Sequence, residues 1–449
     1  MNKISLKNNL SRILDILFLL VPFIDFTYSF DFDLADIRLS YFIYIIYFIV
    51  NINLILKKEQ IYNLLKNSKY LIMIFLFIIL ISIVNIYLNN DTIFLLLKQI
   101  VIISFVFFTT WLFFYKNKQN IYEIFKLYLN ISVFVAIIGI FQELSYLLGF
   151  SYGYDFSYLK AKDQFSNAGI FLRVCSVAGE PSNLVYALSL AFYTSLVSFI
   201  TKQEKPILNI VKSIIIILCF SLTFSLIGYI GIAISLILIT IIYFKRIRII
   251  NLLILLLLFS ALFYFGKNTF TSRIDGAITE TQRTINPQET TTAKKKENQS
   301  SYSIILQAKI SFTNFKEHFL FGTGLGSHLV AFNKYYERFH YDERQRILHK
   351  SDAASLFLRL VSELGLFGII LIGFFLLRFN IFLPKYNSDL DYIVLINYGC
   401  LLFILLRLIR CGVYYADGFF LFSLLYYYSK KNYIKNKLNK ENDSLISNT

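Results

Sequence analysis

The chain has 449 residues, is 57% hydrophobic and 18% aromatic, and has a mean hydropathy of +0.60. A water-soluble protein of this length cannot hide that much apolar surface, and repeated apolar runs of about 20 residues predict membrane-crossing helices. The net charge of +16 resides largely in short connecting segments, as in cytoplasmic loops, and not in a nucleic-acid surface.

The runs lack the period-2 alternation of a membrane barrel, so the fold class expected is an all-α polytopic membrane protein, residues 1–449 forming a single transmembrane domain. The first run, from Ile13, carries Asp15, Pro22 and Asp25 and no small-residue cleavage site, which predicts a retained helix and not a signal peptide. About twelve spans follow from windows of about 20 residues. They lie near 13–30, 39–56, 69–88, 93–115, 122–150, 183–201, 207–223, 226–244, 249–266, 354–377, 392–411 and 413–429. The pair within 207–244 has almost no loop and reads as a tight or partly re-entrant hairpin.

Basic residues occupy alternate connections: Lys3, Lys7 and Arg12; Lys57, Lys58, Lys66 and Lys69; Lys116, Lys118 and Lys126; Lys202 and Lys205; Lys245, Arg246 and Arg248. A basic tail, 430–449, closes the series. With twelve spans all of these fall on one side, which predicts cytoplasmic N- and C-termini. Two long polar segments then face outward: 151–182, and 267–350 between spans 9 and 10. The stretch Thr279–Ser301, rich in Thr, Gln, Asn and Lys, reads as mobile and not as a folded domain. Cys175, Cys219, Cys400 and Cys411 form no CxxC pattern, so neither a metal cluster nor a disulfide framework is indicated.

Three segments carry candidate chemistry. In the first, Arg173 precedes Glu180-Pro181-Ser182. Pro181 suits the first turn of a helix, whose positive dipole end attracts anions. Arg173 can grip a phosphate or carboxylate in a bidentate manner, and Glu180 can accept a proton or hold Arg173. A capped helix with an Arg–Glu ion pair is the plainer alternative.

In the second, 351–368 reads as a polar helix re-entering the bilayer. Asp352, Ser355, Arg359 and Glu363 recur at i, i+3/i+4 intervals and so share a face, with Ser351 or Asp352 as the cap. Gly365 and Gly368 permit close packing. The plainer alternative is an Arg359–Glu363 pair that only neutralises charge. His349 flanks this helix as a base or merely as a neighbour; His318, His328 and His340 share its outward segment.

In the third, Arg407 and Arg410 lie three residues apart inside an apolar run, a repulsive pair unless an anion intervenes. A lipid-linked pyrophosphate, Asp417 or Glu180 are the candidates, against plain snorkelling to headgroups. Gly322-Thr-Gly-Leu-Gly326 lacks the Lys-Ser/Thr of a nucleotide loop and reads as a turn needing close backbone packing. Asp31, Asp33 and Asp36 offer hard oxygen ligands to a metal, or simply keep a loop solvated.

Together these segments resemble the bacterial O-antigen polymerase and ligase superfamily, the Wzy-type and related membrane glycosyltransferases of GT-C architecture. The resemblance rests on Arg173 with Glu180-Pro181-Ser182, on Phe319-Leu-Phe-Gly-Thr-Gly-Leu-Gly326, and on Ala354-Ser355 with Glu363-Leu-Gly-Leu-Phe-Gly368. It covers roughly 130–380. Ligases place a His eleven residues before the Glu-Leu-Gly glycine, where this chain has Ala354, and many relatives carry Ser-Arg where it has Ser225-Leu226. The missing His favours a polymerase.

The resemblance implies growth of a surface polysaccharide, O-antigen or capsule, at the outer face of a bacterial inner membrane. Glycan on one undecaprenyl pyrophosphate would pass to another lipid-linked repeat unit, with no metal and no cofactor. Arg173, Arg359, Arg407, Arg410, His349 and Asp352 would hold pyrophosphate and glycan, and Glu180 or Glu363 would act as base, with Arg173 assisting. Besides the lipid-linked substrate and membrane lipids, a chain-length regulator is a conceivable partner. The alternatives are a ligase passing glycan to lipid A–core, a lipid-linked oligosaccharide flippase, and a metal-dependent transferase using Asp31 and Asp33.

Overall fold

The computed structural model describes residues 3–25, 27–32, 35–54, 69–89, 93–157, 166–202, 206–285, 299–339, 348–382 and 391–447. The chain is a helical bundle, and each of the twelve apolar runs falls on a helix. These are α1 (Lys3–Ile24), α2 (Leu39–Asn51), α3 (Lys69–Asn89), α4 (Ile93–Lys116), α5 (Ile121–Leu147), α6 (Pro181–Ile200), α7 (Ile210–Ser221), α8 (Leu226–Tyr243), α9 (Ile249–Ile285), α12 (Leu356–Phe379), α13 (Asp391–Ile409) and α14 (Phe419–Ser447). Between α9 and α12 lie α10 (Gln299–Glu317) and α11 (His328–Phe339). Two antiparallel hairpins interrupt the helical pattern, β1–β2 (Ser29–Phe32 and Ala35–Arg38) and β3–β4 (Asn167–Ala168 and Phe171–Leu172).

Seven helices are long and apolar enough to cross a membrane, and three shorter apolar helices accompany them among the described residues. Helix α7 has 12 residues and is about 18 Å long, short of a hydrocarbon core of about 30 Å. That length fits the partly re-entrant hairpin expected there.

Much of the described part of the polar stretch 267–350 is helical. Helix α9 runs on from its apolar part to Ile285, the last described residue before 299. Residues 299–317 and 328–339 are helical too. Both ends of the stretch Thr279–Ser301 are therefore helix, 279–285 closing α9 and 299–301 opening α10, while 286–298 lie outside the described residues. The basic tail continues α14 as helix to Ser447.

Helix α6 is the central post. Nearly all its side chains are buried, and it packs against α7, α8 and α13. Two of its hydroxyls bond back along the helix: Thr194 donates to Leu190 O and Ser195 to Ala191 O, each at 2.8 Å. On the facing helix, Gly399 lets α13 close onto the Leu190 backbone, where a Cβ would lie 3.1 Å from Leu190 Cα.

The two ends of the bundle differ in character. At one end, Lys202 N–H donates to Arg246 O at 3.0 Å, Lys430 Nζ to Asn380 O at 2.9 Å, and Lys116 pairs with Asp15 at 2.7 Å. Among the described residues, several of the connections expected to be basic thus lie at one end. At the other end, Val174 N–H donates to Leu222 O at 3.0 Å, Cys411 N–H to Ala354 O at 2.7 Å, and Asp417 N–H to Asp25 Oδ2 at 2.8 Å. All three candidate segments lie at that end.

Candidate functional site

Helix α6 opens as its sequence predicts, with Pro181 in the first turn and Glu180 at the N-cap. The Glu180 carboxylate does not cap the helix; it accepts from Ser182 Oγ at 3.3 Å. Arg173 is half-buried beside β4, donates from Nη1 to Ser166 Oγ at 3.0 Å, and lies within electrostatic reach of Tyr229.

The second segment departs from one continuous helical stripe. Asp352 lies before α12, in a turn where Ala353 and Ala354 have φ of 55° and 59°. Ser355, rather than Ser351 or Asp352, caps the helix, accepting from Leu358 N–H at 3.3 Å. Only Arg359 and Glu363 of the expected stripe stand on α12 itself. The left-handed turn is held from outside, because Ser355 Oγ donates to Leu408 O at 2.6 Å and Cys411 N–H to Ala354 O. That is information on residues about fifty positions away, which helical periodicity does not carry.

Asp352 is paired with His349, whose Nδ1 lies 3.0 Å from Oδ1. Burial works against the Asp352 carboxylate, but the His349 hydrogen bond and charge, Arg359 and the Ala354 N–H outweigh it and hold the group down at about 2. His349 is 29% exposed, so its ring is reachable from outside. With Nδ1 turned to a carboxylate, Nε2 is left to face a reactant.

Arg359 and Glu363 form the buried i,i+4 pair, Nε to Oε1 at 2.8 Å. Glu363 is completely buried, and its Oε2 accepts from Gly326 N–H at 2.9 Å and Tyr414 Oη at 2.8 Å. The Arg359 Nη1 donates to Gly412 O at 3.0 Å, and its guanidinium sits over Tyr414, 4.3 Å from the ring centroid. Glu363 is therefore sealed and neutralised, which suits a structural clamp better than a base meeting a sugar hydroxyl.

The Gly322–Gly326 turn supplies part of that clamp. Gly322, Gly324 and Gly326 have φ of 63°, 105° and 84°, a conformation that favours glycine. Thr323 and Gly324 N–H groups donate to the Ser362 and Glu363 carbonyls at 3.3 and 2.7 Å. Close backbone packing, not nucleotide binding, accounts for the motif.

In the third segment, Arg407 is completely buried and does not snorkel. It pairs with Asp417, donates to Val413 O, and lies 5.5 Å from the Tyr186 ring of α6. Of the anions weighed in the sequence, the structure joins Asp417 to Arg407. Arg410 is half-buried at the end of α13 and, like Arg407, lies within electrostatic reach of Tyr186. The second and third segments thus meet directly, and Tyr186 ties them to α6.

Sequence reasoning missed several members of this end. Asp25 accepts from Asp417 N–H and Ser40 Oγ and lies 3.6 Å from Arg38. His328 is buried among Gln307 and Ser362, and burial followed by the charge of Arg359 pushes its imidazole down to about 3. The signal available was an Asp at the end of an apolar run and a His directly after a glycine turn. Asp33 and His340 lie outside the described residues. Asp31 and Asp36 are register partners across β1–β2, with their side chains outside the description.

Residues 212–373 match the O-antigen ligase family. The match spans a little over a third of the chain and supports the superfamily resemblance seen in the sequence. It runs from α7 into α12, taking in the glycine turn, His349, Asp352 and the Arg359–Glu363 pair; Arg173, Glu180, Arg407 and Arg410 lie outside it. No curated protein and no solved structure matches the chain significantly. The matched segment is thus similar to the O-antigen ligase family, and it lies within a multi-helix chain with seven helices long and apolar enough to cross a membrane among the described residues.

Proposed function

We propose that this chain is a repeat-unit polymerase that lengthens a surface polysaccharide at the outer face of the bacterial plasma membrane. The observation that carries the reading is the His349–Asp352 pair, with His349 partly exposed, set beside the end of α13 that bears Arg410. An acceptor sugar hydroxyl gives its proton to His349 Nε2 and attacks the anomeric carbon of the donor glycan. The bond from that carbon to the pyrophosphate oxygen breaks, and undecaprenyl pyrophosphate leaves. Arg410 and Arg173, both half-buried at this end, are suited to offset the charge gathering on the leaving group. Arg359 and Arg407, already matched by Glu363 and Asp417, are suited to shape the site and set its potential. Glu180 remains a second candidate acceptor of the proton.

Ala354 supports polymerase over ligase. It stands where ligases carry a His, yet it is fully buried and its carbonyl takes Cys411 N–H. The ligase reading is favoured by a different observation, the description of the matched family.

A gel profile of surface glycan from a deletion strain, beside a complemented one, separates the two. Loss of the ladder with one repeat unit still on lipid A–core identifies a polymerase. Loss of all attached glycan, with long chains on the carrier lipid, identifies a ligase, and repeat units trapped facing the cytoplasm identify a flippase. Complementation by Arg173→Gln and Arg410→Gln variants at normal protein levels, with unchanged ladder length and yield, would reject the assigned role of these arginines.

A further inference from the structure

Helix α10 is not a membrane span, yet it buries a polar stripe of Ser303, Gln307, Ser311 and Asn314, at 1%, 0%, 0% and 1% exposure. Buried polar groups cost free energy unless each finds a partner, so a stripe of them needs a reason. The partners of Ser303 and Gln307 provide one, while Ser311 Oγ finds none among the described residues. Ser303 Oγ and Gln307 Nε2, one helical turn apart, both donate to the carbonyl of Leu348, at 3.0 and 3.1 Å. Leu348 immediately precedes His349, whose φ of 64° is a left-handed conformation that a non-glycine residue keeps only when its surroundings hold it.

The orientation of Gln307 is itself fixed. Its Oε1 lies 2.8 Å from His328 Nε2, while His328 Nδ1 lies 3.2 Å from Ser362 Oγ. A neutral His328 donates its one N–H to the glutamine oxygen and accepts a hydrogen bond from the Ser362 hydroxyl on the other side. The Gln307 amide nitrogen is thereby turned to Leu348 O. On the far side of His349, its own carbonyl accepts Ala353 N–H at 3.2 Å and its ring meets Asp352.

We infer that Gln307 and Ser303 are positioning residues that set the backbone of His349, with His328 fixing the rotamer of Gln307. Neither reaches the reactants. Their part in the reaction rests on His349 being the proton acceptor proposed above, whereas their hold on His349 does not.

The test uses the full-length protein in proteoliposomes holding lipid-linked repeat units. It measures the polymer formed per minute and, separately, the rate at which diethyl pyrocarbonate modifies His349, read by mass spectrometry. Gln307→Met and Ser303→Ala are compared with wild type and with Lys334→Ala, an exposed control on α11. Gln307→Met is expected to slow transfer by about tenfold or more, as a misplaced reacting group does, and to raise His349 modification severalfold. Ser303→Ala, a milder change that preserves the fold, moves both readouts in the same direction, and Ser303→Thr restores them. Wild-type values of both readouts in folded Gln307→Met and Ser303→Ala protein would overturn the inference. A His349→Ala variant that transfers normally would instead reject His349 as proton acceptor, while the modification rates would still decide whether α10 positions it.

Discussion

The carboxylate of Glu363 accepts the backbone N–H of Gly326 at 2.9 Å, joining helix α12 to a glycine turn that lies 37 residues earlier in the chain. Arg359 and Tyr414 complete the enclosure. A carboxylate so placed organises this end of the bundle: the turn, α12 and the loop after α13 all converge on it.

Replacing Glu363 by Ala leaves the guanidinium of Arg359 buried without its counter-charge. Loss of one partner of a buried ion pair costs about 3–5 kcal/mol. The Glu363→Ala protein is expected to unfold at a clearly lower temperature in detergent than wild type. An unchanged unfolding temperature would show that the carboxylate is not a structural clamp.

Gly365 has a φ of 60°, and a Cβ there would lie 2.6 Å from Phe319 O and 2.7 Å from Gly322 N. A Gly365→Ala change therefore meets backbone strain of about 1–3 kcal/mol together with overpacking of similar size. Gly373, on the same helix, has nothing within 4 Å of its added Cβ. Folded yield should drop for Gly365→Ala and stay level for Gly373→Ala, measured by gel filtration of membrane extracts.

Arg407 and Asp417 make a second buried pair, between α13 and the loop that follows it. Arg407→Met alone should destabilise by about 3–5 kcal/mol, and a double change with Asp417→Leu should recover much of that, since an apolar pair of similar volume avoids the desolvation of two charges. Thermal unfolding of the two variants tests the point. A double variant no more stable than the single one would mean that Asp417 acts mainly through Asp25 and not through Arg407.

His328 gives a pH dependence with a definite sign. Its folded imidazole is pushed down to about 3, against about 6.5 in an unfolded chain. The unfolded state therefore binds the proton first as pH falls. Stability is fully present above about pH 6.5 and declines by about 1.4 kcal/mol per unit towards pH 3, where this contribution levels off. His328→Gln should flatten the acid limb of the unfolding profile between pH 6.5 and 4, and an identical slope in both proteins would assign the acid sensitivity to other groups.

Asp352 is held at about 2, so it stays ionised at working pH. Asp352→Asn removes the anion that orients His349. Transfer should fall by at least about 10²-fold, by analogy with the loss of an orienting carboxylate elsewhere, while protein level in the membrane stays near wild type. Normal ladder length in this variant would remove His349–Asp352 from the reaction.

The sequence by itself determined the run of helices, because a bilayer demands about 20 apolar residues per crossing and leaves the backbone few other solutions. It also determined Pro181 at the start of α6, the i,i+4 relation of Arg359 to Glu363, and the need for close packing at Gly322–Gly326, all properties of neighbouring residues. Only the tertiary structure decided which charges meet across the bundle. Asp417 with Arg407, Asp25 with Asp417, Gly326 with Glu363, and Gln307 with Leu348 are pairs set by how helices pack end to end. The same reason explains why Ser355 and not Asp352 caps α12: residues 408–411 take hold of Ala354 and Ser355, and that contact is invisible to any pattern along the chain.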